Sequence, residues 1–348
     1  LAIFSNSATV GTHYIKIMLF CSDVDGYGFK RTDDFDYKDY EEFMSQYLSV
    51  LARRASRWKD IVGTDESSVS KSSKVKRFCR KGIPNENRES WCPFQLVVPD
   101  SIIDICILLL LYTKRDKTIF FLHSDIHRTF PDNIYFADIQ DPQAMRRPLK
   151  HVLTAIARKN TRMGYCQGMN FLAGLLLLAI QNEEKVFWLM DTVINKILPD
   201  FYGPDMLALK AEQELLGEVV KWKLPDVHAH LEELGVQWCL IGMKWFICLY
   251  ADVMPVETVL RIWDCLFLEG PKILLRVALT LIKLNREKIL ACRTFPEAVD
   301  LFRDLVKDPS TLHCHTFLES IFKETGSFPE SKIKKLREEC IERVKKDS

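Results

Sequence analysis

Val256-Glu257-Thr258-Val259-Leu260-Arg261-Ile262-Trp263-Asp264-Cys265-Leu266-Phe267-Leu268 is the stretch whose reading decides the fold class. Val256, Val259, Leu260, Trp263 and Phe267 return every three or four positions, which is the period of one helix face and not of a strand. Arg261 and Asp264, three apart, lie together beside that stripe and read as a pair bracing a neighbouring helix or loop. The same spacing recurs over Leu149 to Ala157, Asn170 to Ile180, Glu183 to Ile197, Asp205 to Trp222, Val236 to Tyr250 and Ile273 to Leu284. Pro199, Pro204, Pro225, Pro255 and Pro271 fall near the proposed starts and ends, where a missing amide is tolerated. Period-two alternation is almost absent from Arg146 onward, so the expected fold class is all-α. Ser327-Phe328-Pro329-Glu330 fits a capping box that opens a last helix, expected to run as a charged, exposed segment to Ser348.

Ahead of this array a single helix is expected over Tyr37 to Val62, with Phe43, Tyr47, Leu51 and Trp58 on one stripe. The Ser-rich run from Thr64 to Ser73 reads as a flexible linker. The basic cluster that follows holds Lys74, Lys76, Arg77 and Arg80 and reads as a solvated helix start, contact with an acidic partner being the alternative. Ser90 to Phe121 breaks the pattern. Cys92 to Pro99 is extended because both of its prolines resist a helix interior. The apolar run Ser101 to Tyr112 is well short of the roughly 20 residues that span a bilayer, and Asp104 lies inside it. The expected organisation is an extension over residues 1–73, one helical subdomain over 74–215 and a second over 216–348 with the terminal helix.

At 348 residues and a formal net charge of +1, the chain has ample apolar content for a core and no bulk attraction to nucleic acid or an anionic membrane. Its 11 cysteines include no CxxC pair and lie largely in apolar runs, as Cys239, Cys248 and Cys265 do. That usage suits reduced core thiols in a cytosolic protein. Tyr14 to Cys21 is short, contains Lys16 and lacks a basic leader, so no secretory signal is expected. His228-Ala229-His230 and His313-Cys314-His315 have metal-like spacing, but an i,i+2 pair diverges on a helix and no further ligand set accompanies it. No nucleophile–base set comparable to a hydrolase triad is found either.

Two short segments carry the candidate chemistry: Asp125-Ile126-His127-Arg128-Thr129-Phe130-Pro131 and Tyr165-Cys166-Gln167-Gly168-Met169-Asn170. Arg128 offers a permanent charge on a planar fork that matches phosphate oxygens. Gln167 offers an amide that can accept a proton from water while donating to an oxyanion. Asp125 is spaced to hold the guanidinium stem, and Thr129 and Pro131 are expected to keep the Arg segment a loop. Gly168 allows close backbone approach, and Asn170 reads as a brace for the loop. Together, Arg128 and Gln167 are the parts with which one protein helps another hydrolyse a nucleoside triphosphate. The chain has no phosphate-binding loop of its own.

Asp125-x-x-Arg128, Tyr165-x-Gln167-Gly168 and Arg261-Ile262-Trp263-Asp264 appear in the order and approximate spacing of the TBC domain of Rab GTPase-activating proteins, and the chain resembles that family from about Val75 to Leu336. Tyr27-Gly28-Phe29 and His313-Cys314-His315-Thr316-Phe317 narrow the likeness to one branch of it. Trp91 stands one or two residues earlier than the family pattern places a Trp. The resemblance implies two all-α subdomains, an arginine finger at Arg128 and a glutamine finger at Gln167 supplied in trans. Asp125, Tyr165, Gly168, Asn170, Arg261, Trp263 and Asp264 support them. It further implies a GTP-bound Rab-family partner that itself holds GTP and Mg²⁺, no cofactor on this chain, and no nucleic acid. The expected location is cytoplasmic, with at most peripheral association with endomembranes. A scaffold that binds a GTPase without accelerating hydrolysis is the alternative, and a generic helical adaptor a weaker one.

Overall fold

Short polar side chains fix several helix starts. Asn182 accepts from Lys185 N at 2.9 Å, Ser72 from Val75 N at 3.2 Å and Thr294 from Glu297 N at 3.4 Å. Each satisfies an amide that a first helical turn leaves open. The computed structural model describes residues 23–62, 72–84, 117–137 and 144–347. The helices begin with α1 (Tyr37–Val62), α2 (Ser73–Lys81), α3 (Lys117–Arg128), α4 (Ile134–Ala137), α5 (Arg146–Lys159), α6 (Met169–Ile180) and α7 (Glu183–Thr192). They continue as α8 (Leu207–Lys223), α9 (Pro225–Glu233), α10 (Trp238–Ile247), α11 (Val256–Glu269) and α12 (Lys272–Leu284). The last four are α13 (Arg286–Ala291), α14 (Phe295–Asp304), α15 (Cys314–Lys323) and α16 (Glu330–Asp347). Strand pairing among the described residues is confined to isolated bridges, Val24 with Lys30 and Phe29 with Asn133. The protein is all-α.

An α6 that is apolar on every side must be surrounded, and all its residues but Ala179 are buried. It packs between α5 and α7, with α3 against α5 and α6. In the second half α8 is the axis, touching α9, α10, α12 and α16, while α11 packs on α2, α12 and α15. One buried cluster runs from Leu122 on α3 to Val344 on α16. A smaller one, Trp58, Val75, Cys79 and Ile83, closes α1 onto α2. The α1 stripe is as expected in its two largest members, Tyr47 and Trp58, which are both buried.

Several expectations are corrected. Asp125 to Arg128 is the last turn of α3 and not a loop, because Thr129 Oγ donates back to Asp125 O at 2.6 Å and prolongs the helical register. The chain leaves that register at Phe130, whose φ is 48°. The division expected between residues 215 and 216 falls inside the unbroken α8. Glu183 to Ile197 is an α-helix followed by a π-helical turn, Val193–Ile197. The α16 segment is not an exposed tail: Ile333, Cys340 and Val344 are buried, a narrow stripe hidden in a highly charged composition. Its helix opens at Glu330, so Ser327 stands too early to cap it, and the Ser327 carbonyl accepts from Lys223 Nζ at 2.9 Å. Of the basic cluster, Lys76 and Arg80 turn onto Glu269 at 3.0 and 2.5 Å. The segments Tyr14 to Cys21, Cys92 to Pro99 and Ser101 to Tyr112, Trp91, and nearly all of the Ser-rich linker lie outside the described residues.

The α16 stripe is reinforced by ion pairs from Arg337 to Glu212 and from Arg343 to Glu218 of α8. The Glu212 side chain is buried, so Arg337→Ala strands a carboxylate in the core. The expected cost is about 3 kcal/mol, read as a lowered denaturant midpoint at unchanged slope.

Candidate functional site

The site grows from a buried carboxylate. Asp125 lies on the inward side of the last turn of α3, where the helix end favours cationic neighbours, and His127 and Arg128 follow it there. Arg128 Nε donates to Asp125 Oδ1 at 2.6 Å. The bond raises the affinity of the guanidinium for its proton further. It uses Nε and leaves the terminal nitrogens of the fork to a ligand, on a side chain that is 44% exposed. The second carboxylate oxygen, Oδ2, accepts from the Tyr165 hydroxyl at 2.5 Å. Burial, and then this bond, push the Tyr165 phenol far above its ordinary range, so it remains a donor.

Tyr165 opens the second segment, and the same buried polar set holds that segment in place. Asn170, fully buried at the start of α6, donates from Nδ2 to Thr129 Oγ at 2.8 Å and accepts the Gly168 N–H on Oδ1 at 3.1 Å. Thr129 Oγ in turn donates to Asp125 O. One chain of hydrogen bonds therefore runs from the Arg128 guanidinium to the peptide that follows Gln167. Gly168 has φ 104°, and a Cβ there would stand 3.3 Å from the Ile247 carbonyl, so the turn admits glycine. Gln167 lies at the outside of this turn and is exposed. An amide buried to satisfy local backbone is not what the fold builds.

Flanking groups are apolar or locked. Phe130 packs edge-on against Phe171 with ring centroids 5.5 Å apart, and the Arg128 guanidinium lies 5.9 Å from the Phe171 ring. Burial raises the Cys166 thiol to about 11 and the Cys248 thiol, across from Gly168, to about 12. The aromatic contribution of Phe130 and Phe171 was missed in the sequence. The two residues are far apart in the chain, and no helical period joins them.

The structure brings Asp125, Arg128, Tyr165, Gln167, Gly168 and Asn170 into one unit, and places Arg261, Trp263 and Asp264 in another. Arg261 is buried and donates to the Tyr47 hydroxyl at 2.9 Å and to Arg80 O at 3.2 Å. Asp264 accepts from Ile83 N at 3.3 Å, and Trp263 Nε1 donates to Leu249 O at 2.9 Å. The Arg261 and Asp264 contacts hold α1 and α2 onto α11, and that of Trp263 ties α11 to the turn after α10. Arg54 joins the set, donating to the Tyr47 hydroxyl at 3.1 Å and pairing with His315 Nδ1 at 2.8 Å. Among the described residues no group of three His, Cys, Asp or Glu side chains is arranged to hold a metal. His230 Nε2 lies 3.0 Å from Cys292 O, and His313 pairs with Asp39 at 2.6 Å. No helix of the described residues is long and apolar enough to cross a membrane.

Comparison with known proteins follows the same lines. Residues 105–290 match the family model of the Rab-GTPase-TBC domain. Growth hormone-regulated TBC protein 1 of Xenopus tropicalis is 46% identical over 319 residues, covering 90% of this chain and 93% of the relative. The Homo sapiens protein of that name is 46% identical over 324 residues, covering 92% and 96%. Among solved structures, the Chlamydomonas flagellar RabGAP TBC domain superposes with a TM-score of 0.70 at 26% identity, covering 86% of this chain and 99% of that one.

The set around Tyr47 carries a pH dependence. Burial, then Arg54 and Arg261, hold the His315 imidazole down to about 4. The unfolded chain takes up that proton near pH 6.5, so the contribution to stability is full above 6.5 and is lost as pH falls toward 4. About 2 kcal/mol should be gone by pH 5, and His315→Gln should flatten that part of the stability–pH curve in chemical denaturation.

Proposed function

This chain belongs to the Rab-GTPase-TBC domain family, and we propose that it is a GTPase-activating protein acting on a GTP-bound Rab-family GTPase, with Arg128 as the arginine finger and Gln167 as the glutamine finger. The observation that carries the reading is that both reach-capable side chains are exposed on a single hydrogen-bonded unit, the one tethered by Asp125 and the other fixed through Gly168 and Asn170. Phosphoryl transfer asks a helper for little covalent chemistry; it asks for positioning and for stabilisation of charge developing on the γ-phosphoryl and the leaving oxygen. The terminal nitrogens of Arg128 fork across those oxygens, while Asp125 fixes the direction of the guanidinium. The Gln167 amide accepts from the attacking water with its carbonyl and donates to a γ-phosphoryl oxygen with its NH₂. GTP and Mg²⁺ stay with the partner, and this chain contributes no cofactor. Asp125, Tyr165, Gly168 and Asn170 are positioning residues in this scheme; Arg261, Trp263 and Asp264 act only by bracing α11. Recruitment to endomembranes through the partner is consistent with a chain whose described helices do not span a bilayer.

Arg128→Ala is expected to cut stimulated hydrolysis roughly 10³-fold or more, the range of an arginine finger, or about 4 kcal/mol of transition-state stabilisation. Arg128→Lys should rescue little, because a point charge cannot fork between two oxygens. Binding to the GTP-loaded partner should weaken far less than the rate. Binding by the parental chain with no stimulation of any Rab in a purified panel would identify the silent scaffold instead.

The source of the water-orienting amide is a separate test. Single-turnover hydrolysis should survive mutation of the partner's own switch glutamine and be largely lost in Gln167→Ala, since one amide occupies that position at the transition state. The reverse pattern would leave Gln167 without a catalytic role.

A further inference from the structure

We propose that the segment Val24 to Arg31, which lies ahead of the residues matched by the family model, is a positioning element for Arg128, with Phe29 as its working residue. The inference rests on Arg128 acting as described above. Asp25 folds the segment on itself: its Oδ1 accepts from Tyr27 N at 2.8 Å and Phe29 N at 2.9 Å, and its own N–H donates to Phe29 O at 2.8 Å. The folded turn docks on the residues that follow the Arg128 helix. Ile134 N donates to Gly28 O at 2.9 Å, Lys30 N to Asp132 O at 3.1 Å, and Asn133 Nδ2 to Tyr27 O at 2.9 Å. The approach is close enough that a Cβ on Gly28, which has φ 88°, would meet the Tyr135 ring at 2.7 Å. At its other side the Tyr27 hydroxyl donates to Glu257 Oε2 of α11 at 2.8 Å.

This docking sets Phe29 against Phe130. The rings meet edge-on with centroids 5.0 Å apart. Phe130 is the residue at which the chain turns out of α3, and its φ of 48° is a conformation that a non-glycine residue holds only when its surroundings enforce it. Phe29, Phe136 and Phe171 are the walls that do so, at 5.0, 5.8 and 5.5 Å. Phe171 is also the ring under the Arg128 guanidinium. Removing Phe29 therefore loosens the residue two positions after Arg128 and the ring beneath its charge. The Asp125 tether and the Gln167 turn are left untouched. A merely structural segment would change stability and spare the transition state.

The test uses the full chain and a GTPase that it stimulates, with single-turnover rates taken over a range of activator concentrations for Phe29→Ala, Phe29→Tyr, Arg128→Ala and the Phe29→Ala/Arg128→Ala double variant, and with a melting curve for each. Phe29→Ala should lower the maximal stimulated rate about tenfold and leave the half-saturating concentration within about twofold. Phe29→Tyr, which keeps the ring, should restore most of the rate. In the Arg128→Ala background Phe29→Ala should cost nothing further, since both act through one group. The same fractional loss in both backgrounds, or a change confined to half-saturation or to the melting temperature, overturns the inference. If Arg128→Ala abolishes stimulation while Phe29→Ala keeps the full maximal rate, the finger stands and the positioning role of Phe29 falls. If Arg128→Ala itself retains stimulation, the finger reading fails and this inference fails with it.

Discussion

Asp125 offers one oxygen to Arg128 and the other to Tyr165, and its own carbonyl takes the Thr129 hydroxyl. A buried carboxylate is tolerable only with such donors, since an uncompensated charge in the interior costs several kcal/mol. The need runs both ways. The carboxylate is kept in the fold by the donors, and the donors are kept in place by the carboxylate. Because Tyr165 and Arg128 belong to segments far apart in the chain, the same group that aims a guanidinium also fixes the distance between the two halves of the site. Asn170 adds a second span through Thr129 and Gly168, so neither segment can shift without breaking a buried bond.

The remaining architecture encloses those spans. α6 must be enclosed because it has no polar face, and the helices that enclose it, α5 and α7 with α3 alongside, define where Asn170 and Thr129 meet. α11 does the corresponding work in the other half. Its Arg261 and Asp264 reach Tyr47 within α1 and the C-terminal end of α2, so a buried guanidinium helps tie an extension that precedes the family-model match to the domain. Lys76 and Arg80, gathered on Glu269, make the same junction from the other side.

Much of this was legible residue by residue. The α11 stripe announced a helix because its period is local, whereas Arg128 and Gln167 stood out only through the likeness of their segments to the TBC pattern, since a pair with Asp125 is the plainer reading of Arg128 alone. What could not be read was non-local. That Asn170 would bond Thr129, or that Tyr165 would bond Asp125, depends on how α3 and α6 cross, and no spacing within either segment encodes it. The buried stripe of α16 is hidden for a different reason. Three buried residues in a helix dominated by Lys, Arg and Glu leave a stripe too thin for composition to reveal, although it is wide enough to lie along α8. Thr129 and Pro131 are poor helix residues and so suggest a loop at the Arg segment. The Thr129 side chain in fact returns to the preceding turn and bonds the Asp125 carbonyl at the helix end.

The two cysteines beside Gly168 have a consequence for durability. A thiol next to an exposed turn is ordinarily the first group that peroxide or an electrophile would attack, because the thiolate is the reactive form. Burial holds Cys166 at about 11 and Cys248 at about 12, so at neutral pH the thiolate fraction of each is negligible. The turn that carries Gln167 is thus built on sulfur for its size and softness while being denied sulfur's reactivity.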